Sequence, residues 1–233
     1  MEPIYQTNFQ ITERDVDCHG RLLPSRILSY AQEVAGMHST ELTVGYDVLA
    51  RQRMFWAVTR HKVQVTRLPR LGETIHVETW PMPPTRVAFP RSMVAYDEAG
   101  REVFRSISLW VLMDLDTRNM ILPGKSGIAL TGTLPAKLLK NTRSRQVCFT
   151  DLDRNGHMNN CRYLDWICDL IPSTYHTAHE IREFTVCYLS EAREGQQLEL
   201  RWDYPEERCL YMDAHRQDGS ENTRVFSARL LFD

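Results

Sequence analysis

A weak internal repeat constrains the fold of this chain more than any other feature of its sequence. Residues 15–20 (DVDCHG) precede an amphipathic stretch and reappear 136 residues later as residues 151–156 (DLDRNG), again before an amphipathic stretch. Residues 72–77 (GETIHV) match residues 195–200 (GQQLEL) at an offset of 123, and the smaller offset fits an extra segment at residues 40–53. We therefore predict two copies of one supersecondary unit.

Each half is predicted to contain a short lead strand, an amphipathic helix and a run of strands with period-two alternation. Pro24 suits the first turn of the first helix, around residues 27–35, while Asn159 or Asn160 caps the second helix and Pro172 ends it. The predicted strands are residues 58–67, 73–81, 86–97 and 103–114, then 183–190, 198–204, 209–216 and 223–232. One helix followed by hairpin-connected strands indicates an α+β class and an antiparallel sheet.

A segment rich in Gly and Pro residues defines the predicted boundary between the two halves. Residues 116–144 contain several of both and have the composition of a crossover linker. We therefore predict an N-terminal domain at residues 1–115 and a C-terminal domain at residues 145–233.

Composition excludes several classes of protein. The 28 Lys and Arg nearly balance the 30 Asp and Glu, so the chain lacks the basic excess of a nucleic-acid-binding protein. No apolar run approaches the roughly 18 to 20 residues that span a bilayer, and the N-terminus carries no signal- or transit-peptide pattern. The six cysteines form no CxxC pair and no zinc-type cluster. We therefore predict a cytoplasmic protein with buried free thiols, no membrane partner, no metal and no cofactor.

One motif in the second half resembles that of a known family. Residues 153–163 (DRNGHMNNCRY) contain the spacing D-x-N-x-H-x-N-N-x-x-Y, and residues 56–60 (WAVTR) and 108–114 (SLWVLMD) add to the similarity. From about residue 5 to the C-terminus, the chain resembles the acyl-acyl carrier protein thioesterases of plant plastids and bacteria. The resemblance implies a tandem (double) hot-dog fold, in which each half is a long helix wrapped by an antiparallel sheet.

The resemblance also implies an activity and a partner. The activity is hydrolysis that releases free fatty acid from acyl-acyl carrier protein by water attack on the thioester carbonyl. Two hot dogs in one chain already supply the pair that single hot-dog chains reach by dimerising, so either a monomer or a homodimer is compatible with it. A modest basic run is either solvated surface or a contact for the acidic carrier protein; it consists of Lys137, Lys140, Arg143 and Arg145.

Four catalytic residues follow from the resemblance: Asp153, Asn155, His157 and Glu191. Glu191 and His157 are candidates for activating water, and Asp153 for orienting it or for direct attack. Asn155 is expected to orient water or stabilise the oxyanion, together with backbone amides at the start of the second helix, near Gly156 and His157. Which residue acts as the base is left open.

Turn and N-cap chemistry is the alternative explanation for the Asp, Asn and Gly of this motif. A comparison of the halves favours a functional role for three of the four residues. Asp153 is matched by Asp17, whereas the positions of Asn155, His157 and Glu191 hold His19, Arg21 and Leu68. A structural constraint would occur in both halves, so the first half is predicted to be non-catalytic and to wall the acyl pocket.

The cysteines and tryptophans have simpler structural explanations, and three other functions are compatible with this fold. Ala192 stands where an older hypothesis for the family placed a nucleophilic cysteine, which excludes a thiol nucleophile there, and Cys161 and Cys187 are predicted to be core. The five tryptophans are also predicted to be core. The alternative functions are an acyl-CoA thioesterase, a non-catalytic acyl-binding module, and a dehydratase that would use a His and a carboxylate without the Asn.

Overall fold

A computed structural model describes residues 4–123, 134–218 and 221–233. The chain divides into two compact units, Met1–Gly132 and Thr133–Asp233. Residues 124–133, in the middle of the predicted linker, lie outside the described residues. On either side of them, the predicted linker includes residues that belong to strands of the two units.

Unit one contains an antiparallel sheet in the order β1-β3-β4-β5-β2, with a short β6 paired on β5. Its elements are β1 (Tyr5–Gln10), α1 (Pro24–Glu41), α2 (Tyr46–Arg51), β2 (Met54–Val65), β3 (Thr74–Pro81), β4 (Phe89–Tyr96), β5 (Glu102–Asp114) and β6 (Met120–Ile121). Residues 40–53, which the change in repeat offset identified as extra, contain the end of α1 and all of α2.

Helix α1 forms because Pro24 pre-sets its first turn and apolar residues recur on one face at spacings of three and four. Ile27, Leu28 and Val34 on that face have no exposed surface. Burial of each aliphatic side chain stabilises the unit by about 1.5–3 kcal/mol. Tyr30 on the same face stacks on Phe9 of β1, with 4.4 Å between ring centroids.

Unit two repeats this plan, with an antiparallel sheet in the order β8-β11-β10-β9-β7. Its elements are β7 (Asn141–Gln146), α3 (Arg162–Cys168), α4 (Ser173–Ala178), β8 (Ile181–Tyr188), β9 (Gln197–Glu206), β10 (Cys209–Asp218) and β11 (Glu221–Phe232). Because each strand occupies the place of its counterpart in unit one, the predicted α+β duplication is confirmed.

The second helix is shorter than predicted. Helix α3 has 7 residues, whereas α1 has 18. It ends at Cys168 and not at Pro172, which lies immediately before α4. Proline disfavours helical geometry in the residue before it, here Ile171, so one continuous helix is interrupted. Leu164, Trp166 and Ile167 of α3 are nonetheless buried, and α3 remains a core element.

Some side chains predicted to be buried are not. Trp166 is 1% exposed, but Trp56, Trp80, Trp110 and Trp202 are only half-buried. Tryptophan often keeps its indole N–H at the edge of the core, and Trp56 Nε1 donates to the carbonyl oxygen of Val44 at 3.0 Å.

The predicted burial of Cys161 and Cys187 is confirmed, whereas Cys18 and Cys148 are exposed free thiols. Both exposed cysteines lie in the polar connections that precede α1 and α3, and not on an apolar face. Among the described residues, no helix is long and apolar enough to cross a membrane.

Candidate active site

The motif residues lie in a tight turn, the site loop (residues 151–160), which precedes α3. Asp153 N donates to His157 O at 2.8 Å, and Gly156 N donates to Asp153 O at 3.0 Å. Gly156 has a φ of +74°, which glycine adopts without strain. Asp153 Oδ1 accepts the N–H groups of Asn155 at 2.8 Å and of His157 at 3.3 Å. The Asp153 carboxylate therefore holds the turn that presents Asn155 and His157.

His157 and Glu191 meet although 34 residues separate them in the sequence. His157 Nε2 lies 3.1 Å from Glu191 Oε2, and their side chains are 16% and 47% exposed. Backbone pairing brings them together, because His157 forms a β-bridge with Arg193 and Met158 N donates to Ala192 O at 2.8 Å. The pair is thus partly shielded but open to water on the side of Glu191.

Unit one contains the same backbone turn. Asp17 N donates to Arg21 O at 2.8 Å, and Gly20 N donates to Asp17 O at 3.0 Å. Asp17 Oδ1 accepts the N–H groups of His19 at 2.8 Å and Arg21 at 3.0 Å. Leu22 N donates to Pro69 O at 2.8 Å, which corresponds to the contact of Met158 with Ala192. The two backbone frames are therefore equivalent at the positions that the sequence offsets align.

The side chains on these two frames differ. Arg21 takes the place of His157, and its Nη2 lies 3.1 Å from Asp17 Oδ2. Leu68 takes the place of Glu191 and cannot ionise. At these positions unit one has an arginine–aspartate ion pair and a leucine, while unit two has a histidine–glutamate pair suited to proton transfer.

Two expectations about the oxyanion need correction. The site loop is not the start of a helix, because α3 begins at Arg162 and His157 forms an isolated bridge. The amides of Gly156 and His157 both donate to Asp153, as the equivalent amides do in unit one. They are therefore engaged in the turn and not directed at a substrate. The short Asp-to-Gly spacing demands this turn geometry, which competes with helix formation.

Two arginines that sequence reasoning missed contact Glu191. Arg193 Nη2 lies 3.8 Å from Glu191 Oε2, and Arg216 Nη1 donates a hydrogen bond to the carbonyl oxygen of Glu191. Arg193 is two residues from Glu191, so an opposite charge close in sequence was a usable signal. Arg216 lies on β10, and only the register of the sheet reveals its position.

A buried aromatic residue supports the site from α3. Tyr163 is 2% exposed and packs on Phe226, with 4.5 Å between ring centroids. Burial raises the pKa of the Tyr163 hydroxyl, and the nearby carboxylates of Glu191 and Asp153 raise it further, against the opposing effect of Arg216. Tyr163 is therefore neutral near pH 7 and serves packing.

The remaining candidate groups do not form a second site. Within residues 4–123, 134–218 and 221–233, no three His, Cys, Asp or Glu side chains are placed to hold a metal ion. His176 Nε2 lies 3.1 Å from the carbonyl oxygen of Cys168, and His179 Nδ1 lies 3.2 Å from the carbonyl oxygen of Asp233. Both histidines are thus tied to the backbone.

Comparison with known proteins covers both units. The family model for the acyl-ACP (acyl carrier protein) thioesterase N-terminal domain matches residues 2–122, and that for the C-terminal domain matches residues 137–228. The palmitoyl-acyl carrier protein thioesterase, chloroplastic, of Gossypium hirsutum is 26% identical over 214 residues, which are 81% of this chain and 52% of that protein. The chain therefore spans about half the length of this relative.

Solved structures share the fold along the whole chain. An acyl-ACP thioesterase from Bacteroides thetaiotaomicron has a TM-score of 0.89 at 24% identity and covers 99% of this chain and 98% of its own. The 12:0-ACP thioesterase from Umbellularia californica has a TM-score of 0.84 at 20% identity and covers 99% and 97%. These similarities confirm the tandem hot-dog fold. Because the two family models match most of the chain in consecutive order, this chain belongs to the acyl-ACP thioesterase family.

Proposed function

We propose that this protein is a hydrolase that releases free fatty acid from acyl-ACP, with its site in unit two. The observation that carries the proposal is the contact of His157 Nε2 with Glu191 Oε2 at 3.1 Å. This pair lies on a backbone frame that unit one duplicates with Arg21 and Leu68. Since the frame folds with either set of side chains, the histidine–glutamate pair is explained by chemistry and not by folding.

The reaction needs a base for water and an acid for the leaving group. Water adds through its oxygen to the thioester carbonyl carbon while the His157–Glu191 pair takes a proton from it. The tetrahedral intermediate then expels the sulfur, the C–S bond breaks, and the same proton returns to the thiolate. The products are a carboxylic acid and the carrier thiol. Both groups remain candidates for the base, because either passes the proton to the other across 3.1 Å.

Asn155 is the proposed polar donor for water or for the oxyanion. Its Nδ2 lies 3.4 Å from Asp153 Oδ2, and its backbone N–H is held by the same carboxylate. Removal of one oxyanion donor lowers turnover on the order of 100- to 1000-fold. Asp153 is a positioning residue in this proposal, because its carboxylate accepts two N–H groups of the turn.

We propose acyl-ACP as the substrate, and acyl-CoA is the alternative carrier for the same chemistry. Family membership and the name of the Gossypium hirsutum relative support acyl-ACP. The basic run gives little support. Three of its four cations face groups of this chain: Lys137 lies over the ring of Tyr211, Lys140 faces Asp203, and Arg145 faces Asp169 and Trp166. A monomer or homodimer in the cytoplasm remains a prediction.

The direct test compares the two carriers. Purified protein is incubated with a series of saturated acyl-ACP thioesters from medium to long chain, with the matching acyl-CoA series in parallel. Faster release of free fatty acid from acyl-ACP than from acyl-CoA supports the proposal. The reverse order identifies an acyl-CoA thioesterase, and binding of acyl chains without hydrolysis identifies a non-catalytic module.

A further inference from the structure

We infer that Arg216 is a positioning residue that fixes the main chain at Glu191, so that the Glu191 carboxylate faces His157. This inference rests on the proposed function and extends its residue set. The contact is direct, because Arg216 Nη1 donates to the carbonyl oxygen of Glu191. A guanidinium in this place restrains both the backbone and the electrostatic environment of the carboxylate.

Backbone contacts anchor the chain on either side of Glu191. Before it, the N–H groups of Leu189 and Ser190 both donate to Val225 O of β11, at 2.8 and 3.1 Å. After it, Ala192 O accepts the N–H of Met158 at 2.8 Å. Glu191 therefore lies between two fixed points, and Arg216 of β10 binds the carbonyl group between them.

Unit one contains the two flanking anchors. The N–H groups of Thr66 and Arg67 both donate to Val103 O of β5, at 2.9 and 3.2 Å, and Pro69 O accepts the N–H of Leu22. The central residue there is Leu68, which carries no charge to position. The duplicated anchors show that the frame itself does not require the charge on Glu191.

The sheet register identifies the counterpart of Arg216. Val77 pairs with Ala95 in unit one, and its repeat equivalent Leu200 pairs with Ala214 in unit two. Two residues further along the chain are Asp97, which immediately follows the last residue of β4, and Arg216, which still lies within β10. The two units therefore carry opposite charges at positions that correspond in the repeat, one just after a strand and the other within a strand.

Asp97 and Arg216 make different interactions in their units. Asp97 Oδ2 accepts from Arg67 Nη2 at 3.2 Å and from Arg101 Nε at 3.0 Å, so it closes a local ion-pair cluster. In unit two the position of Arg67 holds Ser190, which is uncharged. The arginine lies instead at position 216, which corresponds to Asp97 of unit one. There it binds the residue that carries the site carboxylate. Arg216 is thus specific to unit two, as are Asn155, His157 and Glu191.

Arg193 offers a contrast within the same segment. Its repeat counterpart is Arg70, and both residues form the β-bridge to the turn, with His157 and Arg21 respectively. An arginine at this position is therefore compatible with a unit that lacks the site carboxylate. Of the two arginines that contact Glu191, only Arg216 has no arginine at the corresponding position of unit one.

The test uses Arg216→Ala and Arg216→Lys, with Arg201→Ala as the matched control. Arg201 is an arginine of neighbouring β9 whose Nε lies 2.6 Å from Glu199 Oε1. Misplacement of a catalytic group by about 1 Å costs on the order of 100-fold, so Arg216→Ala should lower kcat by about 10- to 100-fold with little change in KM. Arg216→Lys should retain more activity, and Arg201→Ala should match the wild type.

A spectroscopic measurement makes the test independent of activity. The imidazole ¹⁵N signals of His157 are recorded for the wild type, Glu191→Gln and Arg216→Ala, and are assigned by their loss in His157→Gln. The Arg216→Ala spectrum should move toward that of Glu191→Gln, because the hydrogen bond from His157 to the carboxylate is lost. Arg216→Met, which keeps the aliphatic part of the side chain but has no N–H donor, replaces the alanine variant if that variant does not fold.

Two results would overturn the inference. One is a folded Arg216→Ala variant with the wild-type kcat and the wild-type His157 spectrum. The other is a lower melting temperature with an unchanged His157 spectrum, because this assigns Arg216 a purely structural role. If the wild type hydrolyses no acyl thioester, the proposed function fails, and the His157 spectra still decide whether Arg216 positions Glu191.

Discussion

Asp17 and Asp153 separate folding from chemistry at the scale of single residues. Each carboxylate accepts two backbone N–H groups of an identical turn, yet only the second turn presents a histidine to a glutamate. The internal repeat therefore acts as a control inside the molecule. Features present in both units belong to the fold, and features confined to unit two are candidates for function.

Replacement of either aspartate by alanine should lower stability, and Asp17→Ala should lower it more, because it also removes the ion pair with Arg21. Each change removes the acceptor of two N–H groups, and an unsatisfied donor costs about 1–3 kcal/mol, less where water replaces the acceptor. Melting temperatures of Asp17→Ala and Asp153→Ala should therefore both fall, while only Asp153→Ala should also lose hydrolysis. A wild-type melting temperature for Asp153→Ala would show that Asp153 does not stabilise the turn.

The site could be predicted from the sequence only in part. Asp153, Asn155 and His157 stand within five positions and carry a motif, whereas Glu191 was found through the family resemblance. Arg216 could not be found, because its contact depends on the pairing of β9 with β10. The prediction that the amides of Gly156 and His157 are oxyanion donors was wrong, because the sequence does not show that both amides donate to Asp153 in the turn.

Strands were predicted better than helices at the scale of secondary-structure elements. The eight long strands were predicted from alternating apolar and polar residues. This alternation is typical of strands with one face buried and the other exposed to solvent. The length of α3 did not follow, because Tyr163, Leu164, Trp166 and Ile167 have helical spacing but the pattern does not reveal the break before Pro172. The short helices α2 and α4 lack a long apolar stripe, so helical periodicity in the sequence did not predict them.

Strand β2 contains an unusual inward-facing residue, His61. It follows the alternation of Val63 and Val65 and has no exposed surface. Burial lowers the pKa of His61 from 6.5 to about 4. The folded state therefore holds a neutral imidazole over a range of pH in which the unfolded chain binds a proton.

This burial predicts that stability falls in acid. The contribution is fully present above pH 6.5 and is lost as the pH falls from 6.5 toward about 4, by up to about 3 kcal/mol. The midpoint of urea-induced unfolding should drop between neutral pH and about pH 5, and His61→Leu should reduce that drop. The exposed His19, changed to alanine, should leave it unaltered. An equal drop in His61→Leu would contradict the account.

At the scale of the whole molecule, the duplication predicts different functions for the two units: hydrolysis in unit two and selection of the acyl chain in unit one. Unit two contains the polar set, whereas unit one has the same strand order and a longer helix without that set. We therefore predict that residues of unit one set the preferred chain length.

Chain-length preference should respond to substitutions at Ile27, Val34 and Val63, which have no exposed surface. One methylene in an apolar pocket is worth roughly 1–3 kcal/mol, so such changes should shift the profile of rates across acyl chains more than the rate on the best substrate. Leu164 and Ile167 of α3 provide the matched controls in unit two. If only the α3 variants shift the profile, the prediction is wrong.

The central claim is that the His157–Glu191 pair hydrolyses an acyl thioester. The most direct measurement is the rate of free fatty acid release from acyl-ACP by the wild type, His157→Ala and Glu191→Ala, with melting temperatures recorded on the same samples. Because general acid–base groups contribute about 100-fold or more, each variant should lose at least that factor and keep the wild-type melting temperature. Folded variants that retain the wild-type rate, or losses of rate that only follow losses of stability, would contradict the claim.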